Sequence, residues 1–146
     1  MKKTLLIAAL AVSIDAPAHA MIAGMPGHRS EVDLEIMISM QETDDGGMVF
    51  APSGLLVEMG STVRFLIENK SELTHEFILD MPDIIAIHKE IMASRTETHS
   101  APNAVTLEPG QNGEIIWKFS DRGSVEFACL IPGHYESGMS GKITVK

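Results

Sequence analysis

The sequence predicts an all-β domain, a Greek-key sandwich or barrel, with a short helical insertion at residues 81–95. Short runs rich in β-branched and aromatic residues recur along the chain, and Gly, Pro and Asn turn signals separate them. One run instead repeats its apolar residues at helical spacing. The 146 residues are 45% hydrophobic, which is enough for one core. Because no repeat or linker divides the chain, we expect a single domain at residues 31–146.

Residues 1–20 have the pattern of a secretory signal peptide. Lys2 and Lys3 precede the apolar run TLLIAALAV, and the motif AHA at residues 18–20 offers a small-residue cleavage site. The apolar run is too short to span a membrane. We therefore expect export to the periplasm, no membrane span, and a mature chain that begins at Met21.

The charge balance restricts the class of partner. Loss of the signal removes two of the 11 basic residues and one of the 20 acidic residues, so the net charge moves from −9 to −10. An acidic surface repels nucleic acid and anionic membranes, and neither is expected as a partner. A cation or a basic protein fits better.

Residues 21–30 are rich in glycine and small residues and predict a flexible N-terminal arm. The arm contains Met21, Met25 and His28. Thioether and imidazole groups are also ligands for Cu(I), so a weak auxiliary copper site is the alternative interpretation.

The β pattern begins at Glu31, where Val32, Leu34, Ile36 and Ile38 alternate with more polar residues and predict a strand with one buried face. A second alternating run, STVRFLIEN, predicts another such strand. Further β-rich runs are MVFAPSGLLVEMG, THEFILD, AVTLEPG, EIIWKFS, SVEFAC and GKITVK. In THEFILD, the side chains of His75, Phe77 and Leu79 are expected on one face of the strand.

The predicted helix, MPDIIAIHKEIMASR, begins at Met81. His88 and Met92 are four residues apart and share a helix face, so they either pack against an edge of the core or form a second metal site. His99, in the polar loop that follows, is expected at the surface.

The segment CLIPGHYESGM contains the strongest signal for chemistry. It holds the single cysteine of the chain, Cys129, followed by His134 and Met139 at intervals of five residues. A thiolate, an imidazole and a thioether are ligands that suit redox-active copper. A further ligand must come from elsewhere, and His75 is the strongest candidate because it begins a hydrophobic strand that can hold an imidazole still.

The same residues carry a resemblance to a known family. CLIPGHYESGMSGKITVK is similar to the copper loop and final strand of the cupredoxins, with the ligand spacing of rusticyanin and auracyanin rather than the shorter loop of plastocyanin. The histidine in NKSELTHEF matches the family's first histidine ligand. GMPGH, THEF, the helical insertion and APNAVTLEPG resemble a narrower group, the periplasmic copper-tolerance cupredoxins called CopI.

The resemblance implies one type 1 copper site. His75, His134 and Cys129 are its expected ligands, with Met139 as a weaker axial ligand. We further expect backbone N–H groups to donate to the Cys129 sulfur, and the imidazole edge of His134 to be exposed as an electron port. The chain departs from the family at Glu76, where many cupredoxins carry an Asn or Ser that ties the two ligand loops together.

Three functions fit these residues to different degrees. The first is a redox-active Cu(I)/Cu(II) protein of copper tolerance or homeostasis. The second is a dedicated electron shuttle to a redox protein such as a c-type cytochrome, with the acidic surface steering the encounter. A copper enzyme is disfavoured, because the chain has no H-x-H pair and four protein ligands leave no substrate position. No catalytic residue is predicted.

Overall fold

The computed structural model describes residues 23–94 and 101–146, which form two five-stranded β-sheets packed face to face with one helix on the outside. The predicted all-β sandwich with a short helix is thereby confirmed. The first sheet has the strand order β1-β8-β5-β2-β3 and the second the order β4-β10-β9-β6-β7. The strands are β1 (Met25–Pro26), β2 (Leu34–Glu42), β3 (Met48–Ala51), β4 (Gly54–Val57), β5 (Thr62–Asn69), β6 (His75–Asp80), β7 (Ala104–Leu107), β8 (Asn112–Lys118), β9 (Gly123–Ala128) and β10 (Ser140–Val145).

The first sheet follows the predicted alternation most clearly in β5. Val63, Phe65 and Ile67 are buried, whereas Arg64 and Leu66 lie on the opposite, more exposed face. β5 is central because it pairs with β2 in parallel and with β8 in antiparallel fashion.

β2 begins later than the sequence pattern indicates. Its first residue is Leu34 rather than Glu31, and a 3₁₀ turn at Arg29–Glu31 precedes it. The Asp33 carboxylate accepts a hydrogen bond from the Thr62 backbone N–H at 2.9 Å, which caps the start of the neighbouring strand. Leu34 is 43% exposed, so the buried face of β2 forms only further along the strand.

An aromatic cluster fills the sandwich beside β6, which begins with His75, and β9, which ends just before Cys129. The rings of Phe77 and Phe127 stack with centroids 5.2 Å apart, and Phe50 meets both edge-on at 5.6 and 5.3 Å. Phe77 lies two residues after His75, and Phe127 lies two residues before Cys129. Because alternate residues of a strand share a face, this packing fixes the side on which both ligand candidates point.

The helix α1 spans Pro82–Met92, inside the predicted range of 81–95. Pro82 at its first turn and Asp83 near its N-terminus suit the helix start and the helix dipole. Ile85 and Met92 are buried against β6 and β9, in a cluster separate from the main core. This helix covers the outer face of β6. Ile78 on that face is therefore buried, and Phe77 is buried on the opposite face in the main core.

Part of the predicted N-terminal arm joins the first sheet. Met25 and Pro26 form β1 and pair with Trp117 and Lys118 of β8. Arg29 makes an ion pair with Glu114. Residues 21 and 22, like the signal segment 1–20, lie outside the described residues.

Candidate metal centre

His75 is completely buried at the first position of β6. Its Nε2 lies 2.7 Å from the Oγ atom of Ser71, and this hydrogen bond fixes the orientation of the ring. The other nitrogen, Nδ1, is thereby directed towards Cys129 and His134. Ser71 was not identified from the sequence, where its only signal is its place in the polar turn before the strand.

The turn that carries Ser71 is held by the buried side chain of Asn69. The Asn69 amide donates to the backbone carbonyls of Leu73 at 2.8 Å and Leu107 at 2.9 Å, and its oxygen accepts from the Ser71 backbone N–H at 3.0 Å. All these groups are satisfied within the fold, so the turn is a rigid support for the imidazole.

Cys129 follows β9 directly and is also completely buried. Its sulfur accepts a hydrogen bond from the Glu76 backbone N–H at 3.3 Å, as expected for a cupredoxin-like sulfur. This contact ties β6 to the loop after β9. The link runs through the backbone, so it does not require an Asn or Ser side chain at position 76. Burial raises the pKa of the Cys129 thiol to about 11.

His134 lies in the loop between β9 and β10 and is only partly buried. Gly133 before it has φ 88°, a left-handed conformation that favours glycine. The turn is closed by a hydrogen bond from the His134 N–H to the Ile131 carbonyl at 3.0 Å. One ring nitrogen of His134 therefore lies in the cluster while the residue as a whole stays partly exposed, and its role as an electron port stays a prediction.

The three side chains converge on one point. His134 Nδ1 lies 3.1 Å from His75 Nδ1 and 3.4 Å from Cys129 Sγ, and the three donor atoms all lie within 4.8 Å of one another. Burial, reinforced by the neighbouring His134, lowers the pKa of His75 to about 4. Burial also lowers the pKa of His134. At neutral pH both imidazoles are therefore in the neutral form that binds metals.

This donor set fits copper. Two imidazole nitrogens and one cysteine sulfur in a close group are the donors of a trigonal copper site, and hard cations such as Mg²⁺ would require oxygen ligands instead. A bound cation would take the place of the thiol proton and stabilise the thiolate that burial otherwise disfavours.

Met139 is completely buried at the end of the same loop, just before β10. Its carbonyl accepts from the Cys129 N–H at 3.1 Å, and its N–H donates to the His134 carbonyl at 3.1 Å. The backbone of Met139 is therefore fixed beside two of the clustered residues. Its role as the axial ligand stays a prediction.

The other candidate residues that the structure describes are not part of this cluster. Within residues 23–94 and 101–146, the His75, Cys129 and His134 cluster is the one group of at least three His, Cys, Asp or Glu side chains placed to hold a metal. Met92 is buried among the apolar residues beneath α1, as the packing interpretation of that helix face predicts. His28 is exposed, and His99 lies outside the described residues.

The comparison with protein families agrees with this geometry. Residues 37–146 match the family model of copper binding proteins, the plastocyanin/azurin family. The chain belongs to this family. The predicted cupredoxin resemblance is thereby confirmed, and copper is the cofactor that the family binds.

Relatives of this chain include proteins named copper-resistant cuproprotein CopI. The protein from Rubrivivax gelatinosus is 40% identical over 139 residues, which cover 92% of this chain and 82% of the relative. Those from Pseudomonas aeruginosa and Vibrio cholerae are 31% and 30% identical and cover 89% and 95% of this chain, and 86% and 96% of the relatives. The narrower resemblance to CopI is confirmed.

Solved structures with a similar fold include the auracyanins. Auracyanin B matches with a TM-score of 0.67 at 20% identity, over 86% of this chain and 98% of the other. Auracyanin from Roseiflexus castenholzii matches with a TM-score of 0.65 at 22% identity, over 79% and 98%. In the part of the chain that the structure describes, no helix is long and apolar enough to cross a bilayer.

Proposed function

We propose that this plastocyanin/azurin-family protein binds one copper ion through His75, Cys129, His134 and Met139, and that it acts in copper tolerance in the periplasm. The observation that carries the proposal is the convergence of two imidazole nitrogens and one cysteine sulfur within 4.8 Å of one another. The names of the relatives at 30–40% identity, which describe copper-resistant cuproproteins, support the physiological role.

Copper bound here would supply one-electron Cu(I)/Cu(II) chemistry, because imidazole and thiolate ligands suit both oxidation states. The protein contributes a fixed ligand geometry. Ser71 and Asn69 hold the ring of His75, and the backbone N–H of Glu76 donates to the sulfur of Cys129. Since the fold holds these side chains in place, they would move little when bound copper changes between Cu(I) and Cu(II). We propose a binding and redox role rather than an enzymatic one.

Export to the periplasm is part of the proposal. The signal pattern at residues 1–20 supports it, and a thiol held as a metal ligand would be protected from oxidation in that compartment. The acidic net charge of −9 for the full chain favours a cation over an anionic partner.

The tolerance role is tested by deleting the gene and titrating copper into the growth medium. We expect the deletion strain to stop growing at a lower copper concentration than the parent, and a plasmid copy of the wild-type gene to restore growth. A plasmid copy with Cys129→Ser should fail to restore it. If the deletion leaves copper sensitivity unchanged, the tolerance role is wrong.

The partial exposure of His134 favours a second candidate, an electron shuttle to a redox protein such as a c-type cytochrome. An imidazole that reaches both the metal centre and the surface can pass electrons to a docked partner. This role predicts slower respiration in the deletion strain at low copper, with no change in copper sensitivity. The two growth measurements therefore distinguish the two functions.

A further inference from the structure

The helix α1 packs directly beneath the metal-binding loop. Ile85 and Met92 contact a cluster that includes Ala128 and Leu130, the two neighbours of Cys129 in the chain. Tyr135, the residue after His134, packs against the edge of the same cluster. The helix therefore lies against the residues that flank two candidate ligands.

One side chain of α1 reaches over to the loop itself. Lys89 Nζ lies 3.2 Å from the Glu136 carboxylate and 4.5 Å from the centroid of the Tyr135 ring. Tyr135 in turn donates a hydrogen bond from its hydroxyl to Glu126 of β9 at 2.8 Å. Lys89 thus contacts both residues that follow His134.

A cleft separates part of the loop from the end of the helix. This cleft has a volume of about 210 Å³ and is lined by Lys89, by Ala93 just after α1, and by Pro132 and Gly133 of the loop. Close packing between the loop and the helix is therefore limited to the cluster that holds Leu130 and Tyr135. The ion pair and the cation–π contact of Lys89 bridge the gap instead.

We propose that Lys89 is a positioning residue that fastens the segment 131–138 against α1, and so slows the opening of the loop that carries His134. The loop then stays closed over the metal centre, and a bound copper ion leaves slowly. This assignment rests on the copper site proposed above. It gives the helical insertion a function: to retard metal release.

The proposal is tested with variants of the mature protein. Lys89→Met removes both contacts, and Lys89→Arg keeps a cation that can make them. Lys146→Met is the matched control. It removes the same charge and a similar ion pair, between Lys146 and Glu58 at 3.3 Å. Lys146 lies at the opposite end of β10 from Met139. Glu136→Gln, at a 59% exposed side chain, tests the ion pair alone if Lys89→Met fails to fold.

Two measurements are made on each variant. The first is amide hydrogen exchange of residues 131–138 in the metal-free protein. The second is the rate at which the Cu(I)-loaded protein loses its metal to the Cu(I) chelator bathocuproine disulfonate. We expect Lys89→Met to raise both rates by about fivefold, as the loss of a partly exposed ion pair and a cation–π contact predicts. Lys89→Arg and Lys146→Met should remain within about twofold of wild type, and Glu136→Gln should lie between.

Equal rates in wild type and Lys89→Met would overturn the proposal, and so would an equal acceleration in Lys146→Met, which would indicate a general charge effect. Because hydrogen exchange is measured without metal, it tests the role of Lys89 even if the protein binds no copper. A failure of the copper site and a failure of this proposal are therefore distinguishable.

Discussion

Ser71 holds the His75 ring by a hydrogen bond that no short motif in the sequence reveals. His75 itself was predictable, because a histidine at the start of an apolar strand stands out once a Cys, His, Met loop is recognised. Ser71 lies four residues earlier in the turn NKSEL, where serine is a common turn residue. Its role depends on the turn that the Asn69 side chain holds in place. The hydrogen bonds of that turn are visible only in the folded structure.

Ser71→Ala should weaken both the fold and the metal site. The substitution leaves the buried Nε2 of His75 without its 2.7 Å partner, and an unsatisfied buried polar group costs about 1–3 kcal/mol. Because such partners of ligating histidines also orient the ring, copper affinity should fall by about 10- to 100-fold. Chemical denaturation of the metal-free protein and competition with a copper chelator measure the two effects.

Ser39→Ala is the control for that experiment. Ser39 also donates a side-chain hydrogen bond, to the Ala51 carbonyl at 3.3 Å, but it lies in the first sheet. Copper affinity should be unchanged in this variant. If Ser71→Ala binds copper as tightly as Ser39→Ala, the proposed orientation of His75 is wrong.

At the scale of secondary-structure elements, the position of the helix was easier to predict from the sequence than the face that it buries. Helical spacing located α1 within a few residues, because isoleucines at intervals of three and four match the period of a helix and not that of a strand. The face that is buried was harder to predict. Ile84, Ile87 and Ile91 are 42%, 59% and 48% exposed, whereas Ile85 and Met92 are buried. The buried face is therefore not the one that carries the three isoleucines whose spacing indicated the helix.

One buried and one exposed isoleucine provide a matched pair of substitutions on α1. Ile85→Ala should lower the free energy of unfolding by about 2–4 kcal/mol, because it removes a buried side chain and leaves a cavity against β6 and β9. Ile87→Ala, at a 59% exposed side chain, should change it by about 0.5 kcal/mol or less. Urea denaturation of the metal-free proteins gives both values, and similar losses in the two variants would contradict the packing described for α1.

At the scale of the whole molecule, the metal centre joins distant parts of the chain. His75 opens β6, whereas Cys129 and His134 belong to the loop between β9 and β10, so the cluster forms only when the second sheet is assembled. The sequence predicted this division of the candidate ligands, since one short loop cannot enclose a metal. It did not predict the strand order, which depends on long-range pairing such as the parallel pair of β4 and β10.

Copper should therefore stabilise the entire fold. A ligand that binds only the native state adds about 4 kcal/mol when its free concentration is about 1,000 times its dissociation constant. Urea denaturation with and without copper should show this increase as one cooperative transition. His75→Ala should lose most of the increase, and a variant that retains all of it would show that copper binds elsewhere.

The metal centre is tested most directly by a copper titration of the mature wild-type protein and of Cys129→Ser, followed by visible absorption. We predict that the wild type develops an intense band from charge transfer between the Cys129 thiolate and copper, and that the band saturates at one equivalent. Cys129→Ser should remain folded by circular dichroism and show no such band. A wild type without the band, or a band that persists in Cys129→Ser, would contradict the assignment of the metal centre.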